Sequence, residues 1–273
     1  MLISCVSCKD KQEESTQEVP SYNATLNCPD AENDIHGAVY KVQWRERYNF
    51  PLPTRQHYEF VNWSNGEDKL EATGFWPYSF DVELTAVWKP ENYFVSYNMM
   101  PYYDVEYESY TVESESFYLK TPKFVPGKMF IGWTADDMEN PQKAVLIPNG
   151  SYGNRKYTAN WIESKEIDNQ LDGFVFEIVD DHAVVVGYCG EMKSQLTIPS
   201  EYQGYPVTVI GNSAFYGMGI FTGLLKIPYS VTKIEDFAIG ECKNLPMSIY
   251  GGEFEAWKEN VVIGIGNGAL NEW

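Results

Sequence analysis

Long hydrophobic runs are missing from this 273-residue chain, and no stretch approaches the roughly 18 apolar residues that a membrane-crossing helix needs. Basic residues are scarce, 20 Lys and Arg against 39 Asp and Glu. The net charge of −19 excludes a phosphate-binding footprint and adhesion to an anionic membrane surface, and favours solubility or a cationic partner. Histidine is reduced to His36, His57 and His182, far apart in the chain. Cysteine is limited to Cys5, Cys8, Cys28, Cys189 and Cys242. The Cys5–Cys8 pair has zinc-like spacing, but no second pair follows it, so no structural zinc and no cofactor are expected. The wide separation of the other thiols does not suggest a dense disulfide framework.

Catalytic signatures are lacking as well. There is no nucleophile elbow, no Ser/His/Asp or Cys/His arrangement, and no carboxylate pair is marked out among the acidic residues. The sequence is therefore read as that of a protein without enzymatic activity and without catalytic, cofactor or metal residues.

What is abundant is aromatic surface and repetition. Aromatics make up 15% of the chain, with 20 Tyr and 8 Trp, a composition that suits pleated sheets. Tyr40–Trp63 falls on Tyr110–Trp133 without a gap. Upstream, Tyr22-Asn-Ala-Thr-Leu26-Asn27 parallels Tyr93-Phe-Val-Ser-Tyr97-Asn98. Downstream, Leu84-Thr-Ala86-Val-Trp88 parallels Tyr157-Thr-Ala159-Asn-Trp161. In the closing strands Val82, Leu84, Ala86 and Trp88 share one face, as do Tyr157, Ala159 and Trp161, the period of two of a half-buried strand. Pro51, Pro53, Pro122 and Pro126 forbid a long helix in the middle of each unit, leaving room for a short one over 114–119.

This order of blocks resembles the Listeria–Bacteroides repeat of the internalin B-repeat type, a β-grasp-like module of bacterial surface proteins. The resemblance spans about 140 residues, as a first unit over 21–90 and a second over 91–163. The first unit carries Asn62 where the second carries Gly132.

The remainder, 164–273, has another rhythm. A hairpin is expected around Asp180-Asp181, and Tyr205–Ile210 recurs as Tyr229–Ile234. A third echo, Ile265-Gly-Asn-Gly-Ala269, is matched to Ile210-Gly-Asn-Ser-Ala214, and 251–260 reads as an insertion. Leu196-Thr-Ile-Pro199, Val231-Thr-Lys-Ile234 and Cys242 before Leu245 resemble the BspA-type leucine-rich repeat. The expected architecture is mainly β with α+β modules: two tandem β-grasp-like repeats and a short leucine-rich-repeat solenoid.

Residues 1–20 read as leader and tether. Leu2-Ile3-Ser4-Cys5 resembles a bacterial lipobox, which implies lipid attachment at Cys5 and a polar tether from Lys9 to Pro20. By resemblance, the protein is a lipid-anchored lipoprotein of the bacterial cell surface or outer membrane, facing outward. Its implied function is adhesion or recognition of a host, matrix or surface protein, with no nucleic acid and no membrane contact beyond the anchor. The alternatives are polysaccharide binding, for which Tyr97, Tyr102, Tyr103, Tyr107 and Tyr110 would offer rings, and a passive stalk. Two decoys are set aside. Gly264-Ile-Gly266-Asn-Gly-Ala269 has dinucleotide-loop spacing but no crossover helix after it. Asp136-Asp137-Met-Glu139 and Asp180-Asp181 lack EF-hand spacing and read as solvated loops.

Overall fold

The computed structural model describes residues 19–122, 125, 127–218, 223–242 and 245–270. Cys5, Cys8 and most of the leader and tether lie outside the described residues. The chain is mainly β and forms two compact units, Met1–Glu91 and Asn92–Trp273.

The first unit is built from β1 (Ser21–Asn27), β2 (Val39–Gln43), β3 (Arg47–Asn49), β4 (Tyr58–Ser64), β5 (Lys69–Leu70), β6 (Thr73–Phe75) and β7 (Val82–Pro90). Its main sheet runs β2-β1-β7-β4-β5, with β1 and β7 parallel at the centre, and β3 pairs with β6 apart from it. Alternation drives the packing: Ala24 and Leu26 of β1 and Val82, Leu84 and Ala86 of β7 point inward onto Trp63 and Trp76.

The second unit begins with β8 (Tyr93–Asn98), β9 (Glu106–Tyr110), β10 (Phe117–Tyr118), β11 (Lys128–Thr134), β12 (Leu146–Ile147) and β13 (Arg155–Glu163). Its four-stranded sheet, β9-β8-β13-β11, repeats the β2-β1-β7-β4 order with the same parallel central pair. Even the bulge recurs, between Phe60 and Asn62 in one sheet and Phe130 and Gly132 in the other. The register differs in one place. Tyr22 pairs with Val42 but Tyr93 pairs with Tyr110, so Tyr110 takes the place of Val42 and not of Tyr40. A slip of two residues keeps every side chain on its own face, so both registers bury a core.

The short helix expected over 114–119 is not formed. Phe117 and Tyr118 pair with Ile147 and Leu146, and Leu119 is fully buried, so tertiary pairing overrides local propensity.

The solenoid follows: β14 (Gln170–Leu171), β15 (Phe174–Val179), β16 (His182–Tyr188), β17 (Gln195–Thr197), β18 (Glu201–Tyr202), β19 (Tyr205–Ile210), β20 (Leu224–Pro228), β21 (Lys233–Ile234), β22 (Met247–Tyr250), α1 (Phe254–Asn260) and β23 (Val262–Ile263). The hairpin around Asp180-Asp181 joins β15 to β16, with Val179 opposite His182. Two parallel ladders stack the rungs, β16-β19-β21-β23 and β17-β20-β22. Val185, Ile210, Ile234 and Ile263 lie in register, the first three buried in one continuous core with Phe176, Phe215 and Leu225.

The stretch read as an insertion carries α1, the one α-helix among the described residues, and its Trp257 is a core residue whose Nε1 donates to the Val231 carbonyl at 2.6 Å. One sequence expectation is corrected here: the third echo is displaced by two residues, because Ile263, not Ile265, pairs with Ile234.

Candidate protein-recognition surface

Parallel pairing fixes which side chains leave the solenoid sheet together. While Val185, Ile210 and Ile234 face inward, Val184, Val209, Lys233 and Val262 form the neighbouring in-register row on the other face. Val179 and His182 extend this surface from the hairpin. The row borders a shallow concavity of about 740 Å³ floored by Val184, Val186 and Val209 and rimmed by Glu177, His182, Lys233 and Glu235. Val179 and Val262 remain 42% and 64% exposed, so apolar surface at both edges of the face meets solvent.

The rim is electrostatically organised. Lys233 Nζ sits 2.7 Å from Glu235 Oε1, and Glu235 Oε2 accepts the Asn212 backbone N–H at 3.1 Å. The lysine contact and the backbone donor hold the Glu235 carboxyl below its ordinary range, and the same contact raises Lys233. An apolar floor inside a charged rim is the anatomy of a protein interface.

The residues singled out in the sequence are placed as follows. Of the tyrosine stretch, Tyr97 and Tyr110 are buried, and Tyr97 OH donates to Glu108 at 2.6 Å. Tyr102 lies edge-on to Trp161 with ring centroids 5.7 Å apart, and Tyr103 packs on the module core. Tyr107 alone of the five is broadly exposed, and the ring that accompanies it on the outer face is Phe94. Phe94 was missed because it lies outside the tyrosine run. Cys242 is a packing residue: it is buried, its thiol donates to the Phe215 carbonyl at 3.0 Å, and burial pushes its pKa to about 12. No disulfide joins Cys28, Cys189 and Cys242, all of them buried and free. Gly264 and Gly266 press against the rung before them, where a Cβ would fall 2.3 Å from Asp236 Oδ1 and 2.2 Å from the Phe237 ring. Among the described residues, no three His, Cys, Asp or Glu side chains converge as metal ligands.

One functional-looking residue had no sequence signal. Lys143 reaches from the loop between β11 and β12 into the solenoid, where Nζ donates to Ser213 O at 3.0 Å and Val186 O at 3.4 Å. Desolvation pulls its pKa from the ordinary 10.5 down to about 8. Across pH 8 to 10.5 the unfolded chain therefore binds more proton at this site than the folded one, so the stability contributed by Lys143 rises with pH. Burial raises Tyr97, Tyr216 and Cys242, which gives the opposite slope at higher pH. The prediction is thus a difference. The gap in unfolding free energy between wild type and Lys143→Met should grow in favour of wild type from pH 7.5 to 9.5 in denaturant titrations. A gap independent of pH would contradict it.

No protein-family model matches the chain, and no curated protein matches it. Among solved structures, the chain is similar to a leucine-rich repeat protein from Bacteroides capillosus, at 30% identity and a TM-score of 0.27. That match covers 29% of this chain and 63% of the other, so the chain spans less than two thirds of the length of that protein.

Proposed function

We propose that this is a non-catalytic recognition protein of the bacterial cell surface that binds a protein partner through the outer face of its solenoid sheet. The observation that carries the reading is the in-register row Val184, Val209, Lys233 and Val262, with its apolar concavity and charged rim. Flat sheet faces of this kind gain affinity from a few desolvated apolar anchors, while the rim sets register and selectivity. The surface location and adhesive role follow from the resemblance of the modules and of the segment ending at Cys5, which would hold the lipid.

The test is binding of the full chain to an array of purified extracellular-matrix and host-surface proteins. Val179→Glu combined with Val262→Glu changes two exposed positions and should lower the affinity for any captured protein at least tenfold, about 1.4 kcal/mol. Undiminished binding by the double variant would refute the assignment of this face.

A second reading, capture of a neutral saccharide, is favoured by a separate observation. Phe94 and Tyr107 are diagonal neighbours on the outer face of the β8–β9 pair, 46% and 68% exposed, beside Ser96, Asn154 and Arg155. Exposed rings flanked by polar groups stack on sugars. The first unit carries Asn23 and Val39 at the same places in its sheet, so the feature belongs to the second module alone. Glycan binding lost in Phe94→Ala/Tyr107→Ala but kept in Val179→Glu/Val262→Glu would establish this reading over the first.

A further inference from the structure

The seam between the second β-module and the solenoid is closely fitted. A Cβ on Gly187 would fall 2.4 Å from Met129 Sδ, one on Gly217 would fall 1.9 Å from Thr121 Oγ1, and Tyr118 meets Phe237 edge-on at 4.9 Å. Within this seam lies a cavity of about 50 Å³, lined by Thr121, Lys128, Lys143, Trp161, Tyr188 and Tyr216 among others. A single water needs only about 10–15 Å³ of such space, so the cavity has room for a small polyatomic species.

Its polar lining consists mainly of donors. Tyr216 is 6% exposed and its hydroxyl has no hydrogen-bond partner among the described residues. The indole Nε1 of Trp161 is likewise buried and unpartnered. Lys143 Nζ uses two of its three protons on the Ser213 and Val186 carbonyls, which leaves one to spare. No carboxylate stands within 4.0 Å of Lys143 Nζ among the described residues. The nearby acid Glu163 is already engaged by Lys128 at 2.7 Å and Lys165 at 2.8 Å. In a chain of charge −19 a concentration of donors around an ammonium without a counterion is exceptional, and buried charges are ordinarily paired.

We infer that this seam cavity is a binding site for one small monovalent anion, a halide or a planar carboxylate of the size of formate. The anion accepts from Tyr216 OH, Trp161 Nε1 and the free N–H of Lys143, and neutralises the ammonium. Because the donors come from both sides of the seam, bound anion favours the closed arrangement of module and solenoid, and stability rises with anion concentration by mass action. The groups facing Lys143 that titrate are Lys128, Tyr188 and Tyr216, and Glu241 acts on Tyr216 from beyond it.

The experiment uses the full chain at pH 7 and constant ionic strength, with sodium gluconate, too large for the cavity, exchanged stepwise for sodium formate or chloride. Thermal unfolding of the second unit should shift upward and saturate with formate or chloride. Tyr216→Phe, which keeps the ring and removes only the hydroxyl, should weaken the half-saturation concentration at least fivefold. Lys143→Met should abolish the response. Identical melting in gluconate and formate would overturn the inference, since the cavity would then hold water alone. An unchanged half-saturation in Tyr216→Phe would overturn it equally, and that variant serves even where Lys143→Met folds poorly.

Discussion

Replacing Trp133 by Ala should cost the second unit about 3–5 kcal/mol, which is a large share of the stability of a typical domain. Trp133 is fully buried, with Tyr97 and Phe130 ring centroids 5.3 and 5.4 Å away. Its indole N–H has no hydrogen-bond partner among the described residues, so the loss is one of packing and cavity formation rather than of a polar contact. Denaturant unfolding followed by tryptophan fluorescence and far-UV circular dichroism would measure it. Trp63 is the counterpart in the first unit, also fully buried, and its core cluster shares no residue with that of Trp133. Trp63→Ala should therefore lower the transition of the first unit and leave the other unchanged. Equal shifts of both transitions by either variant would contradict the separation of the cores.

The second large effect is expected from Gly132→Ala. Gly132 occupies the bulge of β11 at φ +136°, a backbone region that residues with a Cβ rarely adopt. An added Cβ would lie 2.6 Å from the backbone N and C of Gln142 and 2.8 Å from the carbonyl carbon of Pro141. Those atoms cannot yield cheaply, because Trp133 and Gln142 exchange two backbone hydrogen bonds at 2.8 and 3.0 Å. The expected cost is about 3 kcal/mol or more, combining a strained backbone with an overpacked contact. The same loop delivers Lys143 to the solenoid, so the variant should also reduce hydrogen-exchange protection around Ser213 and Val186. Gly150→Ala is the control, with a positive φ but open space at its Cβ, and should cost only about 1–2 kcal/mol.

Asn62 shows what the sequence alone conveys about such a position. It stands in the equivalent bulge without a positive φ, buried, with its side-chain oxygen unpartnered. The resemblance between the two units places the bulge in both, but only the backbone reveals that one is a glycine site and the other is not. The strands, the hairpin at Asp180-Asp181 and the inward rows Val82–Leu84–Ala86 and Tyr157–Ala159 were legible because alternation is local. Register was less so, since slips of two residues at Tyr110 and at Ile263 preserve alternation and leave no trace in it. The proposed recognition face follows from the repeat once the register is known, since the row Val184–Val209–Lys233–Val262 is set by parallel pairing. Lys143 was invisible, because nothing local to a loop lysine marks contacts made 43 and 70 residues away.

The parallel pairing of the first and last strands of each module has a mechanical meaning. In a parallel pair the chain enters at one end and departs at the other, so each module spans roughly 35 Å from Ser21 to Pro90, or from Tyr93 to Glu163. Tension applied along the chain then loads the hydrogen bonds between β1 and β7, or between β8 and β13, in shear. All of them must rupture together, whereas a hairpin pulled at its two ends would open one bond at a time. Each module is thus expected to resist extension along the chain more strongly than a hairpin of the same length.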